Sequence, residues 1–259
     1  MEEPQAISGT PPLPPRTTSL AARLLNVFAA PGQVFDEVKT TPLTPLNWLV
    51  PMLISAVLGV LAAVLIFSQP AVVRQLHEQW SQSAAQLVKD GKLKPADAEE
   101  LNALADKVLV PRILQVLFST AAVVGSVLRV FWWAFLLWLG ARIFLQVRVG
   151  YLKAAEMAGL ATMISVLGVI ATLLLVANVG KVFSTPGEVL TAGDLAAQKD
   201  SPVLLGTLNV FAFWFIGVMS SGLSRLAEVS FGRAMFLVLG CWLLQELVLI
   251  CIGLGQMAL

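Results

Sequence analysis

Five long apolar stretches of membrane-spanning length constrain the fold of this chain more than any other feature. The clearest is residues 48–67, which carry no charge and, at ~1.5 Å per helical residue, match the ~30 Å hydrocarbon core of a bilayer. A composition that is 57% hydrophobic and 13% charged agrees with this interpretation. The sequence therefore predicts an all-α, polytopic membrane protein with a bundle of five transmembrane helices. The spans are expected at residues 48–67, 113–145, 157–179, 202–223 and 234–254.

The second of these stretches is longer than one upright span requires. Residues 113–145 would form a helix of about 50 Å, well beyond the thickness of the hydrocarbon core. Neither a proline nor an Asn-Gly pair interrupts the stretch, so the sequence does not indicate a turn that would divide it into two spans. We expect one long, tilted helix that projects beyond the membrane.

Two segments with different properties precede the first span. Residues 1–18 are rich in proline and lack the basic start and apolar core of a secretory signal peptide, so they are predicted to be a disordered tail. Residues 19–46 place apolar side chains at helical spacing behind a candidate N-cap, Ser19. This amphipathic segment is expected at the cytoplasmic face, where it lies either in the headgroup plane or against the ends of the bundle.

The remainder, residues 47–257, is predicted to be one transmembrane domain with an insertion between spans one and two. The insertion, residues 68–112, has two amphipathic stretches separated by a turn signal at Asp90-Gly91, and Pro95 suits the first position of the second helix. We therefore expect a helical hairpin on the extracytoplasmic side.

The distribution of basic residues predicts the orientation of the chain, because cytoplasmic loops carry an excess of Lys and Arg. With the N-terminus inside and the C-terminus outside, the opposite short loop carries only Lys181 and Lys199. The basic residues on the cytoplasmic side are then Arg23, Lys39, Arg142, Arg148, Lys153, Arg225 and Arg233.

Two charged residues fall well inside predicted spans, away from their ends: Arg129 in the second and Glu246 in the fifth. A charge at the bilayer centre costs roughly 2.5–3.5 kcal/mol on insertion scales, so such residues usually face the bundle or form pairs. We hypothesise an Arg129–Glu246 pair, which would act either as part of a proton or ion relay or as a static clamp between spans two and five. As a further alternative, Arg129 extends outward along a tilted helix without a partner.

Three small residues on span one, Ser55, Gly59 and Ala63, share one helix face at a spacing of four residues. Small residues at this spacing allow transmembrane helices to approach closely. The face is a candidate for packing within the monomer or between copies in a homo-oligomer.

The sequence lacks the patterns of an enzyme, a metal site or a nucleic-acid binder. The single histidine, His77, cannot form a His-x-x-x-His site, and no phosphate-binding glycine loop or nucleophile elbow is present. Cys241 and Cys251 would lie ~15 Å apart on one helix, too far for a disulfide. The net charge is +1 without a basic stripe. We therefore predict no catalytic residue, no cofactor, no metal and no nucleic-acid partner.

Four stretches resemble the Yip domain family, whose members are five-span membrane proteins. They are residues 23–38 (RLLNVFAAPGQVFDEV), residues 150–154 (GYLKA), Trp214, and residues 222–234 (GLSRLAEVSFGRA). The eukaryotic members act in transport between the endoplasmic reticulum and the Golgi. The chain departs from the family pattern at Gly159-Leu160 and Met163-Ile164, where members often carry an Ala-Tyr pair and a proline, and in its long hairpin.

These departures, with the compact loops, indicate a prokaryotic member in the cytoplasmic membrane, for which the family's association with Rab-type GTPases is not expected. The resemblance implies a non-enzymatic scaffold or membrane-organisation factor that acts through protein partners. Residues 23–38 and 224–233 are the candidate partner surface. The alternative function is a small-solute or ion transporter or channel that uses Arg129 and Glu246.

Overall fold

The computed structural model describes residues 18–179 and 210–251, which form nine α-helices and no strand. Five of these helices are long and apolar enough to cross a membrane, so the predicted fold class is confirmed. The helices are Leu20–Ala29 (α1), Pro31–Thr40 (α2), Leu46–Phe67 (α3), Pro70–Lys89 (α4), Pro95–Val108 (α5), Pro111–Ile143 (α6), Tyr151–Val179 (α7), Val210–Ala227 (α8) and Phe231–Cys251 (α9).

Several predicted features fall partly or wholly outside the described residues. They are the tail up to residue 17, the loop with Lys181 and Lys199, the start of the fourth span at residue 202 and the end of the fifth at residue 254.

The long second stretch forms one continuous helix, as predicted. Helix α6 has 33 residues and begins at Pro111. The fixed φ of proline suits the first helical turn, and its lack of an N–H costs nothing there because N–H groups in the first turn have no acceptor within the helix. The residue before it, Val110, is extended, as expected before proline. At the other end the chain reverses through Gln146, which has a left-handed φ of 56°, and the N–H of Val147 donates to the Ala141 carbonyl at 3.1 Å.

The hairpin between spans one and two consists of α4 and α5. Both helices begin at proline, and Gly91, with a φ of +70°, provides the left-handed turn residue between them. A small apolar cluster joins the hairpin to the end of α3 and the start of α6. Its buried members are Ala63, Phe67, Val72, Ala105, Leu109 and Leu114.

Helices α1 and α2 form an N-terminal arm that packs on the bundle. The Ser19 side chain accepts a hydrogen bond from the Ala22 N–H at 3.2 Å, so Ser19 is the N-cap of α1, as predicted. The inward face of the arm is buried against α7 and α8. Of the two predicted positions, the arm therefore takes the one in which it packs against the ends of the bundle. The apolar residues of this face are Val27, Val34, Phe35 and Val38. We call this end of the bundle the arm end and the opposite end the hairpin end.

Helix α7 is the central element, since it contacts α3, α6, α8 and both arm helices. Its N-terminal half is buried on nearly every side, and six of the nine residues from 154 to 162 are Ala, Gly or Thr, which allows backbones to approach. The closest approach is at Gly159, where an added Cβ would lie 2.3 Å from the Cα of Trp48. Small residues on α7 therefore position the start of α3 against the start of α7.

Candidate functional site

A buried polar cluster lies where the arm, α3 and α7 meet. Its central group is the carboxylate of Glu156, which is 1% exposed and lies on the second turn of α7. The Asn47 side-chain amide donates to Glu156 Oε2 at 3.2 Å, and the Thr44 backbone N–H donates to Oε1 at 2.5 Å. Lys153, one turn earlier on α7, places Nζ 3.2 Å from Oε2. The carboxylate therefore has a partner from each of three adjoining chain segments.

Lys153 also holds the end of α2. Its ammonium group donates to the carbonyls of Val38 at 2.7 Å and Thr41 at 2.8 Å, in the last turn and at the C-cap of that helix. These carbonyls have no intrahelical donor, and the C-terminal end of a helix favours a cation. A single lysine thus joins the buried carboxylate to the end of the arm.

Arg23 extends the cluster into α1. Its guanidinium forms an ion pair with Glu37 at 2.7 Å and donates to Asn47 Oδ1 at 3.3 Å, while the side chain is only 7% exposed. Asn47 therefore accepts from Arg23 and donates to Glu156, and this pattern fixes the orientation of its amide. We call these five residues, Arg23, Glu37, Asn47, Lys153 and Glu156, the arm-end network.

The arm-end network contains two cations and two anions that alternate along its length, with the neutral Asn47 at its centre. Burying an unpaired charge is costly, whereas an alternating and fully hydrogen-bonded arrangement offsets much of that cost. Such networks have strict geometric requirements, so this one fixes the position of the arm on the bundle.

Two further ion pairs connect α2 with the end of α8 at the surface. Asp36 lies 3.4 Å from Arg225, and Lys39 pairs with Glu228, which has a left-handed φ of 55° just after α8. Exposed pairs of this kind contribute little stability. The arm is therefore held mainly by its buried apolar face and by the arm-end network.

The Glu37 carboxyl gives the arm a dependence on pH. Burial raises its pKa, but hydrogen bonds from Thr18 and Arg23 and the charge of Arg23 outweigh burial, so the pKa lies below its ordinary value of 4.5. The unfolded state then binds the proton more readily, and the contribution of Glu37 is present above pH 4.5 and lost as the pH falls through the lower folded pKa.

We expect hydrogen-exchange protection of α1 and α2 to decrease as the pH is lowered below 4.5. A Glu37→Gln variant, which has no carboxyl to protonate at this position, should lose the component of this decrease that belongs to Glu37. An identical decrease in both proteins would contradict the assignment.

The structure does not bring the hypothesised intramembrane pair together. Glu246 is 8% exposed on α9, whereas Arg129 is exposed on α6 and has no ion pair in the described part of the chain. The buried face of α6 carries Ser126, Val130 and Trp133, so Arg129 lies outside it. A hydrogen bond nearby does join the two helices: the Trp132 indole on α6 donates to the Gln245 side chain on α9 at 3.1 Å.

The small-residue face of span one packs within the monomer at its central position. A Cβ on Gly59 would lie 2.6 Å from the Cβ of Ala122 on α6. Ala63 is buried within the apolar cluster that joins the hairpin to α3 and α6. The Ser55 hydroxyl donates to the Pro51 carbonyl of its own helix at 2.9 Å. Two of the three residues, Gly59 and Ala63, therefore lie in contacts that the single chain makes with itself.

The predicted partner surface is only partly available. Within residues 23–38 the side chains of Arg23, Val34, Phe35 and Val38 face the bundle, and the outward face is left for other molecules. The sequence placed Lys153 on the cytoplasmic side but assigned no contact to Lys153, Asn47 or Glu156. The one feature of the sequence that could have indicated them is their position, since they are polar residues close to the predicted starts of two spans.

In the ranges that the structure describes, no group of three or more His, Cys, Asp or Glu side chains is placed to hold a metal ion. Among family models, curated proteins and solved structures, none matches this chain.

Proposed function

We propose that the protein is a non-enzymatic integral membrane scaffold of the Yip type, which organises its membrane through protein partners bound at the arm end. In this proposal the arm end faces the cytoplasm of a prokaryotic cell. The orientation is supported by the seven basic residues at the arm end, an excess typical of the cytoplasmic side.

The observation that carries the proposal is the fixation of the arm by its inward face. Arg23 and Phe35 are buried, which leaves an outward face that includes Leu25, 70% exposed, and the neighbouring Asn26. A surface held in one geometry loses less conformational entropy on binding than a flexible tail does. The arm therefore has the properties of a preformed docking platform.

Transport of a small solute or ion remains the alternative, and Glu246 is the observation in its favour. A buried carboxylate within a span is costly and often functional. A relay would need a second charged group beside Glu246, however, and Arg129 forms no ion pair with Glu246 in the described structure.

Site-specific photo-crosslinking distinguishes the two functions. A photoreactive residue at Asn26, exposed on α1, should capture a discrete set of proteins in native membranes, and the same residue at Gln79, exposed on α4, should not. Adducts that are identical at both positions, or that contain only lipid and the protein itself, would contradict the scaffold. Loss of solute flux in Glu246→Gln would then establish the transporter.

A further inference from the structure

The arm end carries more positive charge than its own carboxylates neutralise. Each of its four described carboxylates has a basic partner in an ion pair: Glu37 with Arg23, Glu228 with Lys39, Glu156 with Lys153, and Asp36 with Arg225. Three arginines of that end have no ion pair within the described ranges; they are Arg142, Arg148 and Arg233.

Two of these three arginines line the same cavity. This cavity has a volume of about 210 Å³ and lies at the end of α6. It is lined by Trp138, Arg142, Val147, Arg148 and Val149. The reversal of the chain after α6 creates this cavity, since it brings Arg148 back beside the last helical turn.

The aromatic side chains here orient one of the two cations. The Arg142 guanidinium carbon lies 5.9 Å from the centroid of the Trp138 ring, a cation–π distance. The Trp138 ring in turn makes an edge contact with Tyr151 at 6.2 Å. Trp and Tyr are enriched where a membrane protein crosses from hydrocarbon to headgroups, so the end of span α6 carries the side chains expected at headgroup depth.

Exposed apolar side chains continue the Arg142 face of α6 towards the middle of the span. Phe135, two turns before Arg142, is 40% exposed, and its ring centroid lies 6.2 Å from that of Trp138. Leu128, two turns earlier again, is 63% exposed. Lipid acyl chains cover this face in a membrane, so a phospholipid bound there places its headgroup beside the two cations.

We propose that this cavity binds the phosphate of an anionic phospholipid headgroup, held between the guanidinium groups of Arg142 and Arg148. Guanidinium groups match the geometry of phosphate oxygens and are the preferred side chains for such contacts. Basic pockets next to transmembrane helices are suited to anionic headgroups for the same reason. This inference does not depend on the scaffold proposal.

Native mass spectrometry of the full-length protein in detergent tests the site. Phosphatidylglycerol and phosphatidylcholine with the same acyl chains are added in turn, and we expect preferential retention of phosphatidylglycerol. An Arg142→Gln/Arg148→Gln variant should weaken phosphatidylglycerol binding about tenfold or more. The matched control is Arg74→Gln/Lys107→Gln, which removes two exposed basic residues from the hairpin end and should preserve the preference.

An unchanged preference in the cavity variant, or an equal loss in the control, would overturn the proposal. Inorganic phosphate is titrated against bound phosphatidylglycerol in a separate series. Displacement by millimolar phosphate would show an anion site that does not require lipid and would overturn the lipid assignment, while retention of the lipid supports it. If the double variant fails to fold, Arg142→Lys and Arg148→Lys take its place, since lysine keeps the charge but loses the bidentate geometry; we expect weakened binding from each, and unchanged binding would overturn the proposal.

Discussion

Replacing Glu156 by alanine should destabilise the protein more than the loss of any exposed charge, by about 3 to 5 kcal/mol, because it leaves buried partners without their carboxylate. Lys153, whose side chain is 20% exposed, would keep a positive charge without its carboxylate. The Asn47 amide and the Thr44 N–H would each lose an acceptor. We expect a lower thermal unfolding temperature in detergent together with faster proteolysis within the arm.

Asp36→Ala provides the matched control for this prediction. It also removes an acidic group at the arm end, but from a pair in which both side chains are about half exposed. Exposed pairs contribute little, so its unfolding temperature should stay close to that of the unmodified protein. Equal effects of Glu156→Ala and Asp36→Ala would contradict the importance assigned to the arm-end network.

Gly159→Ala is the second substitution with a large expected effect. The added Cβ would lie 2.3 Å from the Cα of Trp48 and 2.8 Å from the carbonyl oxygen of Asn47. Both contacts are with backbone atoms, which cannot move aside as a flexible side chain can. Overpacking typically costs about 1–3 kcal/mol, and we expect the upper end of that range here because the clash is with backbone. Separation of α3 from α7 would also move Asn47 away from Glu156. We expect a lower unfolding temperature and increased proteolysis of the arm.

The control is Gly240→Ala on α9, where an added Cβ has no atom within 4 Å in the described structure. Alanine favours a helix over glycine by roughly 1 kcal/mol, so this variant should be as stable as the unmodified protein or slightly more stable. Equal losses at both positions would show that the helix itself, and not the contact with α3, requires glycine at position 159.

The spans were predictable because hydrocarbon imposes a simple requirement on length and polarity. The predicted 48–67 matches Leu46–Phe67, and the uninterrupted stretch after residue 112 forms the single helix Pro111–Ile143. The hairpin was predictable for a different reason, because proline and glycine fix the local backbone at Pro95 and Gly91.

The arm-end network was not predictable in the same way. Its contacts depend on how helices distant in sequence are arranged, and neither hydropathy nor turn signals contain that information. Arg129 and Glu246 are an example. Both lie well inside their predicted spans, but that position along the helix did not determine which way each side chain faces. Glu156 and Asn47 lie on different helices, and their pairing became recognisable only when α3 and α7 were seen to meet at Gly159.

The long sequence separation within the network determines the order in which the protein can assemble. The arm is synthesised first, yet Lys153 contacts Val38 across 115 residues and Glu156 contacts Asn47 across 109. The arm must therefore wait until three spans have been made and inserted, and its pair between Lys39 and Glu228 requires the fourth as well. Docking of the arm is thus a late step of biogenesis, and it can occur only on a chain whose membrane topology is already correct.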